Sequence, residues 1–285
     1  MITHRNRAEG WKHAKLSGHE NENLVKDLFS DEKTFQTKFL ERLGKSNCKI
    51  VKVVVGGLNE KNVVSVLGNT TKSKTDLKVY LNDGTAFNIS IKKSLGGQVY
   101  LIPIHNFILG YEKQFDEVIP EDVKRAIELY WGKANDTLDI VNKLGTNKAY
   151  ETRKNRLVAD TLKAYDKHLY ECLLDWFKNN ISNLVTFCFA SGLAKDRNEW
   201  TNIIWYDNEL GENSVDDMFL ISDLQKYFES IAETETYYGN RGHGSTIQLP
   251  FGFVQWHSPT KVIPGCLQFH HNYEKLAKSK KKKND

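Results

Sequence analysis

Two runs of alternating apolar and polar residues constrain the fold of this chain more than any other stretch, and the turn Asn82-Asp83-Gly84 joins them. The runs cover residues 76–81 and 86–92. Asp-Gly between two alternating runs is a strong β-hairpin signal, because these residues tolerate the backbone angles that tight turns require. The sequence therefore predicts an antiparallel hairpin within residues 73–94.

Alternation assigns the side chains of this hairpin to two faces. The apolar face carries Leu77, Val79, Leu81, Phe87, Ile89 and Ile91. The polar face carries Asp76, Lys78, Tyr80, Asn88, Ser90 and Lys92. One side of the hairpin can thus present Asp76, Ser90 and Lys92 together. The same pattern is also typical of an ordinary hairpin whose polar face only meets solvent.

A carboxylate beside a lysine suits the hydrolysis of phosphodiester bonds. A carboxylate can hold Mg²⁺, which keeps several waters and also binds substrate phosphate. The metal ion stabilises charge on the phosphate and lowers the pKa of bound water. A neighbouring lysine can orient that water and add positive charge.

Periodicity along the rest of the chain predicts an α/β fold with a mixed β-sheet flanked by helices. Helices are predicted at residues 18–44, 120–144, 150–180 and 222–232. Further strands are predicted at residues 49–55, 99–104, 184–190, 202–206, 251–256 and 266–270. The run Leu-Val-Thr-Phe-Cys-Phe-Ala at 184–190 is interpreted as a buried strand.

Composition indicates one soluble globular domain, since 40% of the 285 residues are hydrophobic and 27% are charged. We place this domain at residues 1–274 and a basic, disordered tail at 275–285, which either attracts phosphates or only aids solubility. No apolar run is long enough to span a membrane, and the start lacks the apolar segment of a signal peptide. The four cysteines form no CxxC pair. We therefore expect a cytoplasmic protein without structural zinc or disulfides.

The order K-T-D, hairpin, S-I-K resembles the PD-(D/E)XK nuclease motif, and within that superfamily it looks most like MspI-type restriction endonucleases. The resemblance implies a restriction-endonuclease-like core and a Mg²⁺ cofactor. It assigns Asp76 and the backbone carbonyl of Ile91 to the metal ion, and Lys92 to the attacking water. Ser90 stands where most members have an acid, so it would act through water or beside another acid.

We expect that additional acid at the start of the first predicted helix. In the superfamily, a glutamate on this helix often points at the metal ion. Glu22 lies one turn before Val25 and is favoured over Glu20. Both acids are also consistent with a simpler role, in which they complement the dipole at the helix N-terminus.

The segment at about 239–272 is similar to the C-terminal segment with which MspI-type enzymes read bases in the major groove. On this resemblance, Gln268 and His257 are base-contact candidates, and His270 stands where the family has a lysine. Arg241 and His243, in a glycine-rich loop, are candidates for phosphate contacts. A β-hairpin with a buried Trp256 and an ordinary surface loop remain the alternatives.

The resemblance implies a type II restriction endonuclease that cuts both strands of double-stranded DNA at a short specific sequence. A cognate DNA methyltransferase would be its functional companion. Two alternatives stay open: a structure-directed repair or recombination nuclease with the same core, and a DNA-binding protein with a vestigial site. The sequence determines neither the recognition sequence nor whether the protein is a monomer or a homodimer.

Overall fold

The computed structural model describes residues 26–55, 62–132, 134–145, 156–206, 217–239, 244–257 and 265–281. Residues 26–31 are helical, and the numbered helices begin after them. These are α1 (Lys33–Arg42), α2 (Ile104–Phe115), α3 (Glu121–Trp131), α4 (Thr137–Leu144), α5 (Ala159–Tyr165), α6 (Lys167–Asn179), α7 (Ile181–Val185), α8 (Ile221–Ser230), α9 (Ala232–Glu235) and α10 (Tyr273–Lys281). Within the described ranges, no helix is long and apolar enough to cross a membrane.

The strands lie mainly in two groups, β1 to β6 before α2 and β7 to β12 after α7. They are β1 (Ile50–Val55), β2 (Asn62–Val64), β3 (Thr70–Lys72), β4 (Leu77–Leu81), β5 (Ala86–Lys92), β6 (Gly96–Pro103), β7 (Ile203–Tyr206), β8 (Met218–Leu220), β9 (Tyr237–Tyr238), β10 (Thr246–Leu249), β11 (Gly252–His257) and β12 (Cys266–Asn272). Among the described strands, β2 and β3 pair with each other in a separate two-stranded sheet.

Ten of the strands form two five-stranded sheets. Sheet one has the order β1-β4-β5-β7-β8, with β5 and β7 parallel and the other neighbours antiparallel. The prediction of an α/β fold with a mixed sheet flanked by helices is therefore confirmed. Sheet two has the order β6-β12-β11-β10-β9 and is antiparallel throughout.

The predicted hairpin forms from β4 and β5. Leu77 pairs with Ile89 and Val79 pairs with Phe87, so the apolar side chains of both strands share one face as alternation required. Gly84 in the turn has φ +83°, a left-handed conformation that glycine adopts without steric cost. The local sequence signals therefore predict this hairpin correctly.

Sheet one has a hydrophobic core on the side that faces the N-terminal helices. Its buried members are Phe29, Phe35, Phe39, Leu40, Leu77, Val79, Leu81, Ile89, Ile203, Trp205 and Met218. The rings of Phe35 and Trp205 stack with centroids 5.4 Å apart. The opposite face of β7 contributes Ile204 and Tyr206 to a larger core, which also includes residues of sheet two and of most helices. Sheet one is thus buried on both faces around β7.

The run at residues 184–190 corrects the strand prediction. It is helical, and consists of the end of α7 followed by a π-helical turn at Thr186–Ser191. Every residue of that turn is buried. A short apolar run that is buried on all sides gives no periodicity, so sequence alone does not separate a strand from a helix there.

The C-terminal boundary also differs from the prediction. Residues 275–281, predicted to be disordered, continue helix α10, in which Leu276 is fully buried. The Nζ atom of Lys275 donates a hydrogen bond to the carbonyl of Leu249 at 2.8 Å. This segment therefore packs on the domain, and residues 282–285 lie outside the described residues.

Candidate active site and nucleic-acid interface

The polar face of the β4–β5 hairpin brings Asp76, Ser90 and Lys92 together. The backbone N–H of Asp76 donates to the carbonyl of Ile89 at 2.9 Å, which places Asp76 beside Ser90. The Oδ2 atom of Asp76 accepts hydrogen bonds from the Ser90 hydroxyl at 3.2 Å and from the Ile91 N–H at 2.7 Å. Lys92 Nζ donates to Ser90 Oγ at 2.7 Å. The serine hydroxyl therefore links the lysine to the carboxylate.

This polar face is buried over most of β5 rather than solvated. Only 2% of Ser90 and 4% of Asn88 are exposed. The Asn88 amide donates to the carbonyls of Asn198 at 2.9 Å and Trp200 at 2.7 Å. A buried polar group must be hydrogen-bonded to avoid a large desolvation cost. These contacts engage the amide nitrogen of Asn88, while its Oδ1 atom is buried without a partner among the described residues. The alternative of an ordinary hairpin whose polar face only meets solvent is therefore wrong at Ser90.

Burial also perturbs the ionisable groups of the site. It raises the pKa of Asp76, although Lys92, the Ile91 N–H, the Ser90 hydroxyl and Lys74 act in the opposite direction. It lowers the pKa of Lys92, and the charge of Asp76 opposes that change. Strongly perturbed groups close to one another are typical of functional sites, and also occur in structural ion pairs.

Lys74 is a second cation at this site that the sequence analysis did not single out. Its Nζ atom lies 3.9 Å from the centroid of the Tyr100 ring and donates to the Val99 carbonyl at 3.3 Å. Burial lowers the pKa of Lys74 to about 7. Gly192 has φ +52°, and a Cβ atom there would lie 3.0 Å from Lys74 Cε. The only sequence signal was its position in K-T-D.

A buried pair joins the two sheets close to Lys92. Lys92 is opposite Tyr206 in the parallel β5–β7 ladder. The Tyr206 hydroxyl forms a 2.6 Å hydrogen bond with Nδ1 of His271 on β12. Burial, together with the charges of Lys92 and His270, lowers the pKa of His271 to about 4. The inner face of β12 therefore contacts sheet one at Tyr206, the ladder partner of Lys92.

The donor set determines which metal ion these residues suit. Within the described ranges, no cluster of three or more His, Cys, Asp or Glu side chains is present. Within the described ranges, Oδ2 of Asp76 accepts two hydrogen bonds and its Oδ1 atom accepts none. Mg²⁺ binds through one or two carboxylates and otherwise uses water and phosphate oxygens, so a single carboxylate with one uncommitted oxygen fits it. Glu20 and Glu22 lie outside the described residues, and the Ile91 carbonyl stays a prediction.

The outer face of sheet two carries two of the predicted base-contact residues, Gln268 and His270, on β12. On β11, Gln255 is opposite Gln268 and Phe253 is opposite His270. The Gln255 amide donates to Gln268 Oε1 at 2.8 Å, and the Gln268 amide donates to Gln98 Oε1 at 2.7 Å. Sequence reasoning missed Gln255 and Gln98, because hydrogen bonds across strands leave no local pattern.

The remaining predicted contact residues have different positions. His257 is the last residue of β11 and is opposite Cys266. Trp256 is half-buried and packs against the larger core, with the Arg156 guanidinium 5.6 Å from its ring. Arg241 and His243 lie outside the described residues.

Comparison with solved structures gives a match of low similarity. A crystal structure of restriction endonuclease MspI in complex with its cognate DNA aligns with 88% of this chain and 87% of that chain. The TM-score is 0.44 and the sequence identity is 13%. No family model matches the sequence, and no curated protein matches it. The function has to be inferred from the geometry of the site itself.

Proposed function

We propose that this chain is a Mg²⁺-dependent type II restriction endonuclease that cuts double-stranded DNA at a short specific sequence. The observation that supports this best is the hydrogen-bonded chain from Lys92 through Ser90 to Asp76, with Lys74 beside it. It combines one carboxylate with two lysines in a half-buried position. Low local dielectric strengthens electrostatic interactions with a phosphate, which is what phosphodiester hydrolysis requires.

Each residue has a defined part in this proposal. Asp76 would hold the metal ion, which supplies charge stabilisation at the phosphate and a more acidic bound water. Lys92 would orient the attacking water and stabilise negative charge on the phosphate, while Ser90 fixes the position of its ammonium group. The water oxygen bonds to phosphorus as the bond to the 3′ oxygen breaks, which leaves a 5′-phosphate and a 3′-hydroxyl. Glu22 is proposed as an additional acid.

Recognition of DNA is assigned to the outer face of sheet two and to the segments next to it. Gln268, His257 and His270 would contact base edges, where side chains read sequence directly. Arg241 and His243 would contact phosphates. A specific endonuclease of this kind would need a companion methyltransferase that protects the same sequence in the host DNA.

A second candidate is a DNA-binding protein without nuclease activity. Two observations favour it: Ser90 stands where a second carboxylate would strengthen a metal site, and no cluster of three metal-ligating side chains occurs among the described residues. Both observations are compatible with a metal ion held by Asp76 and waters, which is why the nuclease is preferred.

Digestion of plasmid DNA distinguishes these functions. With Mg²⁺, discrete bands that map to one sequence would support the restriction endonuclease, whereas cleavage of branched DNA alone would indicate a repair nuclease. A gel shift without cleavage in Mg²⁺ or Mn²⁺ would indicate the binding protein. Ca²⁺ should support binding without cleavage, because it activates bound water poorly. Full activity in excess EDTA would contradict a metal mechanism, and Asp76→Asn is the matched inactive control.

A further inference from the structure

We propose that Gln98 and Gln268 form a paired adenine-reading surface, held in place by Gln255 and by His270. This inference rests on the proposed function, because it assigns bases to the recognition surface of the same protein. The three glutamines come from β6, β11 and β12, and their amides form one hydrogen-bonded row, hereafter the amide row. Gln98 lies about 170 positions away from Gln268 along the chain, outside the C-terminal segment.

A β-bulge turns Gln98 toward this face. Tyr100 is opposite Phe269, and both belong to the larger core. Gln98 is two positions from Tyr100, so regular alternation would direct it to the same inner face. Instead the register shifts there, and Gln98 is opposite the outward-facing His270. Bulges often re-aim a side chain next to a functional site, and this one adds an exposed amide to the row.

The row has a fixed end at His270. The His270 ring stacks on the Phe253 ring, with centroids 4.4 Å apart and an interplanar angle of 7°. The Gln255 Nε2 atom lies 3.3 Å from His270 Nε2 and donates at 2.8 Å to Gln268 Oε1. Both N–H groups of Gln255 are thereby engaged, so Gln255 acts as a positioning residue rather than a reader.

Gln268 and Gln98 keep the groups that read adenine. A glutamine amide has two N–H donors and a carbonyl oxygen with two lone pairs. Gln268 uses one donor and one lone pair within the row, and Gln98 uses one lone pair. Each therefore retains a donor and an acceptor side by side, which is the pattern that pairs with N7 and N6 of adenine in the major groove. Because the two amides are hydrogen-bonded to each other, they would contact two adenines that lie close to one another in the DNA.

Gln248 provides a matched control on the same face of the same sheet. It is opposite Phe253 on β11, but its amide donates to Thr246 Oγ1 at 3.3 Å within its own strand. It is not part of the amide row. Its replacement should therefore change neither the recognised sequence nor cleavage.

The test uses the full chain, Mg²⁺ and a library of randomised DNA duplexes, with sequencing of the cut ends. Wild type should select a site with two nearby adenines. Gln98→Ala should lose preference at one of these positions by about 5- to 150-fold, the scale for one bidentate base contact, and should keep the others. Gln98→Ala combined with Gln268→Ala should lose less than the product of the single losses, because the two amides share a hydrogen bond. Gln248→Ala should select the wild-type site.

Three results would overturn the inference. They are a wild-type site without adenines, an unchanged preference in Gln98→Ala, and an equal change in Gln248→Ala. In each case specific cleavage would persist, so the proposed function would stand. If wild type neither binds nor cuts any sequence preferentially, the proposed function fails and the inference fails with it.

Discussion

The two sheets use polar side chains in opposite ways. On sheet one, Asp76 and Lys92 are half-buried on either side of the fully buried Ser90, and burial perturbs the pKa values of Asp76 and Lys92. On sheet two, Gln98 and Gln268 lie on a face that remains accessible, and their contacts are hydrogen bonds between neutral amides. The first arrangement suits reaction chemistry, and the second suits contact with a hydrated partner.

The difference teaches where each kind of group is effective. Charges act most strongly where water is excluded, but isolating them from water has a large desolvation cost. Neutral amides at the surface have a small desolvation cost. They can replace their hydrogen bonds to water with hydrogen bonds to base edges. The two regions meet at the His271–Tyr206 hydrogen bond, since β12 carries Gln268 on its outer face and His271 on its inner face.

The largest expected effect is at the buried cluster. Lys92→Ala should reduce the rate of DNA cleavage by at least about 100-fold, the scale for removing one preorganised electrostatic group. Sequence-specific binding should persist, because the amide row is on the other sheet. Single-turnover cleavage and gel shifts on the same duplex measure both properties. Cleavage within tenfold of wild type would show that chemistry occurs elsewhere.

The next effect concerns the junction between the sheets. Burial lowers the pKa of His271 to about 4 from 6.5, so the unfolded chain takes up a proton at a higher pH than the folded protein does. Folding stability contributed by this group is present above pH 6.5 and is lost as the pH falls toward 4. The full loss is about 3 kcal/mol.

Urea unfolding of wild type and His271→Gln across this pH range measures that contribution. The glutamine does not titrate, so the stability of the variant should depend less on pH between 6.5 and 4. Parallel pH profiles for the two proteins would mean that His271 is not held neutral in the folded state.

A smaller effect is expected at the accessible face. Gln268→Ala should lower discrimination between the cognate site and a one-base variant by about 1–3 kcal/mol, or roughly 5- to 150-fold. Nonspecific affinity should change little, because phosphate contacts carry no sequence information. Cleavage kinetics on the two duplexes provide the ratio. An unchanged ratio would place base reading elsewhere, for example in the segment that contains Arg241.

The smallest effect is expected at Lys78, which shares the polar face of β4 but not the cluster. Its Nζ atom is 3.7 Å from a carboxylate oxygen of Glu199 and donates to the Asn198 carbonyl at 3.4 Å. Lys78→Ala should lower the free energy of unfolding by about 1 kcal/mol or less, as for peripheral ion pairs, and leave cleavage close to wild type. Loss of cleavage comparable to that of Lys92→Ala would extend the active site to Lys78.

The sequence predicted the hairpin of sheet one well because its signals are local. Alternation identifies Leu77 and Ile89 as one face and Ser90 as the other, and Asp83-Gly84 marks the turn. Patterns with a period of two residues determine which face a side chain occupies, and that was sufficient for this hairpin. Gln268 and His270 were instead candidates from the resemblance of the C-terminal segment, and both lie on the outer face of β12.

The missed features depend on contacts between distant segments or on irregular backbone. Gln98 joins the amide row only because a bulge reverses its face, and a bulge has no reliable signature in a single sequence. Lys74 becomes part of the site through Tyr100 and Gly192, which follow it by 26 and 118 positions. Phe187 and Phe189 favoured a strand by propensity, but complete burial inside the core allows a helix with the same composition.

The most direct test of the division between the sheets compares Lys92→Ala with Gln268→Ala on one cognate duplex and one altered duplex in Mg²⁺. Rates of cleavage and binding affinities are measured for both variants and for wild type. Lys92→Ala should bind the cognate duplex selectively without cutting it, and Gln268→Ala should cut with reduced selectivity between the two duplexes. If Lys92→Ala cuts at a rate within tenfold of wild type, the assignment of chemistry to the Asp76–Ser90–Lys92 cluster is wrong.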